Sequence, residues 1–163
     1  MSLIFVDCEA WGACPATGQL TEFGAVDFYT RRTFHGVIIE STPDPENPAM
    51  PLKTNKPELQ TERIVFARFN SWIRLVSKGR PIFVSDNPAY DFQWINDGFC
   101  RTIGTNPFGH SARRIGDFYA GLVKDFYTPQ NWKRLRVTEH THHPVDDAMG
   151  NVEAFERLLK GEI

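Results

Sequence analysis

Three stretches near the start of the chain are rich in apolar, β-branched and aromatic residues. They cover residues 3–8, 21–29 and 33–39, and each has the length and composition of a β-strand. Only Thr30, Arg31 and Arg32 separate the second stretch from the third, so these two predict a hairpin. The chain is therefore predicted to open with three strands.

After these strands the apolar pattern changes to a helical one. Residues 41–57 are so rich in proline that fixed φ angles and missing N–H donors exclude a regular element, and we expect a long excursion there. A helix is predicted over residues 58–78, because apolar residues recur there at helical spacing: Val65, Phe69, Trp72, Ile73 and Val76. Gly79 and Pro81 supply its stop signal.

The remaining apolar segments add one strand and three helices. Residues 81–85 predict a buried strand, and residues 88–100, 112–123 and 144–160 predict helices. The predicted order is βββαβααα. This mixture favours the α/β class, with a mixed central sheet, an antiparallel early hairpin and flanking helices.

Length and composition are those of one ordinary soluble domain. The chain has 163 residues, of which 41% are hydrophobic and 23% charged. It contains no apolar run of the roughly 20 residues that a membrane span needs, and its first residues lack a signal-peptide pattern. Cys8, Cys14 and Cys100 have no paired spacing, which favours free thiols and a cytoplasmic location.

Two acidic residues end the first predicted strand. Asp7 and Glu9 lie two positions apart, so their side chains point to one face of the sheet while Cys8 points to the other. Neighbouring carboxylates repel each other unless a cation lies between them. The pair alone is weak evidence, because strands often end in solvated acids.

Two further aspartates occupy matching positions in predicted helices. Asp91 follows Pro88 by three residues, and Asp147 follows Pro144 by three, with each proline at the first helical position. An aspartate in a first helical turn can also simply complement the helix dipole. The arrangement of the four acids therefore matters more than any one of them.

Carboxylates without thiolates suit hard cations such as Mg²⁺ or Mn²⁺. Two such ions about 4 Å apart are the usual apparatus of phosphodiester hydrolysis, and a neutral imidazole nearby can take a proton from the attacking water. His140, His142 and His143 share one loop before the last helix. They also allow a zinc site or a pH-sensitive loop, although no cysteine lies at ligand spacing from them.

At three places the sequence resembles the DEDD exonucleases, in the branch whose fifth residue is histidine, which includes proofreading subunits, oligoribonuclease and ribonuclease T. Residues 5–9 (FVDCE) with 21–26 (TEFGAV) resemble the first motif, residues 85–92 (SDNPAYDF) the second and residues 142–148 (HHPVDDA) the third. The second motif is nearest to short phage and bacterial exoribonuclease-like members. One departure is Ala10-Trp11-Gly12, where many members have Thr-Thr-Gly.

This resemblance implies an RNase H-like fold and a single exonuclease domain over residues 1–163. It implies hydrolysis of single-stranded nucleic acid from the 3′ end to nucleoside 5′-monophosphates, with two divalent cations, Mg²⁺ or Mn²⁺. The implied catalytic metal ligands are Asp7, Glu9, Asp91 and Asp147. The implied general base is His142, because the family's histidine precedes its final aspartate by five residues. The same spacing selects Asp147 over Asp146 and His142 over His143.

The sequence indicates the residues that contact nucleic acid less clearly than it indicates the metal ligands. A formal net charge of −2 predicts a short footprint rather than a grip on many phosphates. Trp11 could stack on a terminal base or cap the hydrophobic core. Arg113, Arg114 and the basic residues at 133–136 could contact phosphates or form solvated surface. The choice between RNA and DNA, and between monomer and homodimer, stays open.

Three other functions compete with the exonuclease. A catalytically weak RNase H-like module could bind nucleic acid or protein without cutting, but all five family residues are present. An RNase H-like endonuclease would not need a histidine five residues before the last aspartate. A zinc-binding interaction module would use the three loop histidines and would hold stoichiometric zinc. We expect an enzyme, a 3′-5′ exonuclease.

Overall fold

A computed structural model of the chain describes residues 1–38, 60–128 and 130–163. The strands of these residues are β1 (Ser2–Trp11), β2 (Gln19–Asp27), β3 (Thr33–Val37), β4 (Pro81–Ser85) and β5 (Ala112–Arg114). The helices are α1 (Glu62–Val76), α2 (Pro88–Thr102), α3 (Ile115–Val123), a 3₁₀ helix (Asn131–Leu135) and α4 (Pro144–Leu159). The excursion predicted for residues 41–57 lies outside the described residues.

The described strands form one mixed sheet in the order β3-β2-β1-β4-β5. β2 runs antiparallel to both β1 and β3, whereas β4 runs parallel to both β1 and β5. The helices α1 and α2 return the chain between the parallel strands, as such connections require. The predicted mixed sheet with an antiparallel early hairpin is confirmed.

Helices cover both faces of the sheet. Alternate residues of β1 enter opposite apolar clusters, because successive strand side chains point to opposite faces. Ile4 and Val6 belong to the cluster that contains Phe69 of α1, and Phe5 belongs to the cluster that contains Val152 of α4. The sheet thus lies between a layer of α1 and α2 and a layer that includes α4.

Some predicted boundaries were wrong. Residues 112–114, predicted as the start of a helix, form the edge strand β5, and α3 begins only at Ile115. A strand of three residues at a sheet edge buries too little to show an alternating pattern, since Arg113 is exposed. The helix predicted over residues 58–78 covers Glu62–Val76, and the 3₁₀ helix was not predicted.

None of the helices in the described part of the chain has the length and apolar character that crossing a membrane requires.

Candidate active site

The strand β1 contributes two acids to the face that α4 covers. Asp7 and Glu9 lie on the same side of β1 as Phe5, which packs in the cluster beneath α4. In the antiparallel pairing with β2, Asp7 stands opposite Gly24 and Glu9 stands opposite Glu22. The two carboxylates therefore face the start of α4.

Gly24 allows α4 to approach the sheet closely. A Cβ atom at this position would lie 2.3 Å from the backbone carbonyl carbon of Pro144, the first residue of α4. Since no side chain can occupy that space, only glycine permits this contact. The contact brings Asp147 to the acids of β1: one carboxylate oxygen from each of Asp7, Glu9 and Asp147 lies within 4.8 Å of the other two.

Asp91 reaches the same region from the first turn of α2. Its Oδ1 accepts a hydrogen bond of 3.1 Å from the backbone N–H of Cys8, which lies between the two acids of β1. The side chain is buried, and its Oδ2 has no hydrogen-bond partner among the described residues. Burial raises the pKa of Asp91 to about 7, and the nearby Asp86 carboxylate adds to the rise.

The acids act on one another electrostatically. The pKa of Asp7 is raised well above its usual value, first by burial and then by the charges of Asp91 and Asp147. A divalent cation among these carboxylates would remove the repulsion. The donor set fits such an ion, because it consists of carboxylate oxygens and one of them, Asp91 Oδ2, is buried without a partner among the described residues.

Two histidines of the loop before α4 border this group of acids. The Nδ1 atom of His140 lies 2.8 Å from Oδ2 of Asp147, and the rings of His140 and His142 are 4.3 Å apart. His142 is exposed and adopts a left-handed backbone conformation with φ of 58°. Non-glycine residues adopt this conformation at a cost and keep it where surrounding contacts fix it.

His143 has different surroundings from its neighbour. It is partly buried, and its ring packs edge-on against His35 of β3 at 4.8 Å. His35 in turn lies 2.7 Å from the buried carboxylate of Glu22. His143 therefore forms part of the packing between the hairpin and α4, whereas His142 remains open to solvent.

The histidine loop is tied to α4 by side chains that the sequence did not single out. Glu153 of α4 accepts hydrogen bonds from the backbone N–H groups of Val137 and Thr138, at 3.0 and 2.7 Å. The N–H of Thr141 donates to Oδ1 of Asp147 at 3.1 Å, and Arg136 donates to Asn151 of α4. These bonds hold the segment that carries His140 and His142 against the helix that carries Asp147.

Basic side chains gather around Asp86, at the end of β4. Lys133 Nζ lies 2.8 Å from its Oδ2, Arg136 lies 3.5 Å away, and Arg114 donates to its backbone oxygen at 3.2 Å. Arg113, the other basic residue singled out in the sequence, is exposed on β5. Because the charge of Asp86 acts on both Asp7 and Asp91, this basic group borders the acids.

Trp11 lies at the end of β1, two residues beyond Glu9. It is partly buried and does not belong to either apolar cluster of the described residues. With Leu20, Ile38 and Trp94 it lines a pocket of about 290 Å³. These three residues belong to the apolar cluster that contains Phe69, so Trp11 lies beside the core as well as in a pocket wall.

Several residues of this region could not be found by motif alone. Glu22 and Gly24 lie in the first motif, but their contacts with His35 and Pro144 depend on pairing of β2 with β3 and α4. His140 stands two residues before His142, and its approach to Asp147 depends on the loop's path. Strand alternation puts Glu22 and Gly24 on one face of β2, but it marks a face rather than a partner.

Comparison with known proteins gives matches in structure but not in sequence. No protein-family model matches the chain, and no curated protein matches it. The nuclease domain of 3'hExo, a DEDDh family member solved bound to rAMP, is similar with a TM-score of 0.66 and 14% identity, over 99% of this chain and 94% of that one. Two Escherichia coli exonuclease I structures are also similar.

The first of these is the zinc-ion-bound complex of exonuclease I with single-stranded DNA, with a TM-score of 0.65 and 18% identity. The second is its complex with a 5cy-dT13 oligonucleotide, with a TM-score of 0.66 and 15% identity. The present chain is covered to 98% in both, but it spans only 39% and 40% of the exonuclease I chains.

At these identities the likeness defines the fold. The chain has the RNase H-like fold of the DEDDh-type 3′-5′ exonuclease domains, as its motifs implied.

Proposed function

We propose that this protein is a metal-dependent 3′-to-5′ exonuclease that shortens single-stranded nucleic acid and releases nucleoside 5′-monophosphates. The observation that carries the proposal is the convergence of Asp7, Glu9 and Asp147 within 4.8 Å, on a fold shared with exonucleases. We include residues 1–163 in one exonuclease domain.

The proposed ligands of two divalent cations, Mg²⁺ or Mn²⁺, are Asp7, Glu9, Asp91 and Asp147. Such cations, when bound, lower the pKa of a water molecule and stabilise charge on the leaving 3′ oxygen. Because burial raises the pKa of Asp91 to about 7, cation binding at neutral pH competes with the proton on this carboxyl, and the raised pKa of Asp7 acts in the same direction. Asp91 is held in place for this role by the N–H of Cys8.

His142 is the proposed general base. Its exposed ring can meet a water molecule at the edge of the acids, and its loop is fixed on α4 through Glu153. A general base must lie within hydrogen-bond reach of the proton that it accepts. One ring nitrogen of His142 lies within 4.8 Å of a ring nitrogen of His140 and of a carboxylate oxygen of Asp147. His143 is the less suitable base, since its ring packs against His35.

The proposed substrate is the 3′ end of a single strand. The similar structures contain rAMP in 3'hExo and single-stranded DNA in exonuclease I, so they favour neither sugar. Trp11 is proposed to contact the terminal base from its pocket wall, and Arg113 to contact a phosphate from the exposed edge of β5. Arg114 is proposed for the same role, shared with its bond to Asp86.

The decisive experiment is digestion of 5′-labelled RNA and DNA, single- and double-stranded, with Mg²⁺, with Mn²⁺ and with EDTA. We expect a ladder of labelled products that shortens from the 3′ end and disappears in EDTA. A circular single strand should resist the enzyme, because an exonuclease needs an end. Cutting of the circle would indicate an endonuclease instead.

Matched substitutions test the site itself. Asp7→Asn, Asp91→Asn and Asp147→Asn should each abolish the ladder while the far-ultraviolet circular dichroism stays that of the parent. Asp146→Asn is the control, because Asp146 is next to Asp147 on α4 but outside the group of oxygens. A ladder that survives Asp147→Asn and is lost with Asp146→Asn would overturn the assignment of the third motif.

A further inference from the structure

A second set of ligand atoms adjoins the carboxylates. One ligand atom from each of His140, His142 and Asp147 lies within 4.8 Å of the other two. His140 Nδ1 already lies 2.8 Å from Oδ2 of Asp147, and the two imidazole rings are 4.3 Å apart. The exonuclease mechanism proposed above does not use His140.

The chemistry of this set differs from that of the carboxylates. Two imidazoles and one carboxylate suit Zn²⁺ and other late first-row cations, whereas Mg²⁺ prefers oxygen ligands. Both histidines are exposed, so water could complete the coordination of a metal ion. Asp147 is buried at 1% exposure, which fixes the third ligand.

The loop that carries both histidines is held in place by hydrogen bonds to α4. Its start is bonded to Glu153 through Val137 and Thr138, and Thr141, between the histidines, is bonded to Asp147. Ligand side chains that are already held near their binding positions lose less conformational entropy when a cation binds. The three side chains therefore need only small rotations to share one ion.

We propose that His140, His142 and Asp147 form a separate binding site for Zn²⁺ or a similar late first-row cation, and that the bound ion inhibits the nuclease. Inhibition follows because the ion would occupy the lone pair of His142 and a carboxylate oxygen of Asp147. The two sites share Asp147, so an ion at the histidine site also weakens binding at the carboxylates. The inhibitory role rests on the proposed function, but the binding site itself does not.

Binding is tested first, on the purified full-length protein without nucleic acid. Titration calorimetry with Zn²⁺ and with Mg²⁺ compares the parent protein with His140→Ala, His143→Ala and Asp7→Asn. We expect His140→Ala to weaken Zn²⁺ binding by about 10-fold or more, the scale of lost metal-site support, with Mg²⁺ binding little changed. His143→Ala is the matched control and should leave Zn²⁺ binding unchanged.

Asp7→Asn separates the two sites, since Asp7 belongs only to the carboxylates. It should weaken Mg²⁺ binding and spare the Zn²⁺ that binds at the histidines. If Zn²⁺ binds the parent and His140→Ala proteins equally, or is lost with Asp7→Asn and not with His140→Ala, zinc occupies the carboxylates and the proposal is wrong.

Inhibition is tested by adding Zn²⁺ to the Mn²⁺-dependent digestion, with each variant measured against its own rate without zinc. The Zn²⁺ concentration for half-inhibition should rise about 10-fold or more in His140→Ala and stay unchanged in His143→Ala. Equal inhibition of the parent and His140→Ala proteins would refute the inhibitory role. A parent protein that digests nothing would refute the exonuclease, while the calorimetry would still decide the zinc site.

Discussion

His142 and His143 are adjacent in the chain and yet have separate environments. His143 packs against His35, whose Nε2 lies 2.7 Å from the buried Glu22, so its ring serves the contact between the hairpin and α4. His142 is exposed beside Asp147, in a left-handed backbone conformation. The choice of His142 as base, which in the sequence depended on resemblance, thus gains a physical reason in its environment.

His142→Ala should lower the digestion rate by about 10² to 10⁴, the usual effect of removing a general base. His143→Ala should lower the thermal midpoint of unfolding more than the rate, because it removes a packed ring. Single-turnover rates and thermal denaturation measure the two effects. His110→Ala is the control, since His110 precedes β5 at the opposite edge of the sheet. If His143→Ala lowers the digestion rate more than His142→Ala does, the general base is His143 and not His142.

Asp91 makes the stability of the metal-free protein depend on pH. Its pKa is raised from 3.8 to about 7 in the folded state, so between these values the folded chain holds a proton that the unfolded chain releases. The free energy of unfolding must therefore fall as the pH rises from about 4 to 7, by up to about 4 kcal/mol for this one group. Asp7, whose pKa is also raised, contributes in the same direction.

Urea denaturation in EDTA at pH 5 and pH 8 measures this effect. The parent should be less stable at pH 8, and Asp91→Asn should reduce the difference because an amide does not ionise. Mn²⁺ should restore more stability at pH 8 than at pH 5, because the cation binds the ionised carboxylates. Equal stability of the parent at the two pH values would contradict the raised pKa of Asp91.

Among the elements, α4 does most to assemble the site. It supplies Asp147, anchors the histidine loop through Glu153, and rests on β2 where Gly24 leaves room for Pro144. The strand-end acids Asp7 and Glu9 are set by β1 alone, but their third partner depends on how far this helix approaches. The distance between α4 and the sheet therefore controls the geometry of the acids.

Gly24→Ala should force this helix away from the sheet, because the new Cβ would meet the backbone of Pro144 at 2.3 Å. We expect a loss of about 1 to 3 kcal/mol of stability from overpacking. A shift of about 1 Å at Asp147 can itself cost about 10² in rate, so activity should fall even below the temperature at which the variant unfolds. Digestion rates and denaturation curves measure the two losses separately.

Gly121→Ala on α3 is the control for this substitution, because a Cβ atom there meets no described atom within 4 Å. It should keep full activity and gain stability, since alanine favours a helix by up to about 1 kcal/mol over glycine. If Gly24→Ala were as active and stable as Gly121→Ala, the close approach of α4 to β2 would not determine the site.

Over the described residues, the apolar pattern was enough to predict four of the five strands and, within a few residues, the four α-helices. The alternation of β1 placed Asp7 and Glu9 on one face, and the proline at the start of α4 placed Asp147 in a first turn. The strand β5 was not predicted, because three residues at a sheet edge are too few to show the alternation of buried and exposed positions that marks a strand. The contacts of Glu153 with the histidine loop were not predicted either. They join residues about 15 positions apart, and no local sequence pattern indicates such a pair.

Charge across the chain leads to the last prediction, on how binding depends on salt. The net charge of −2 favours a short binding footprint, and the basic group at the site is shared with Asp86. The protein should therefore contact about two or three phosphates of a single strand, which gives a slope of about −2 for log Kobs against log salt. Lys133, bonded to the side chain of Asp86 and 41% exposed, is the residue placed to make one of these contacts.

Lys133→Ala should make this slope shallower by about 0.7, the share of one phosphate on a single strand. Fluorescence anisotropy with a labelled oligonucleotide measures it, in the Asp91→Asn background so that the strand is not cut. Lys160→Ala is the control, because Lys160 pairs with Glu156 just beyond the far end of α4, about 20 Å from Asp147 along the helix axis. Equal slopes for Lys133→Ala and Lys160→Ala would remove Lys133 from the interface, and a parent slope steeper than about −5 would require a longer binding track than this charge distribution allows.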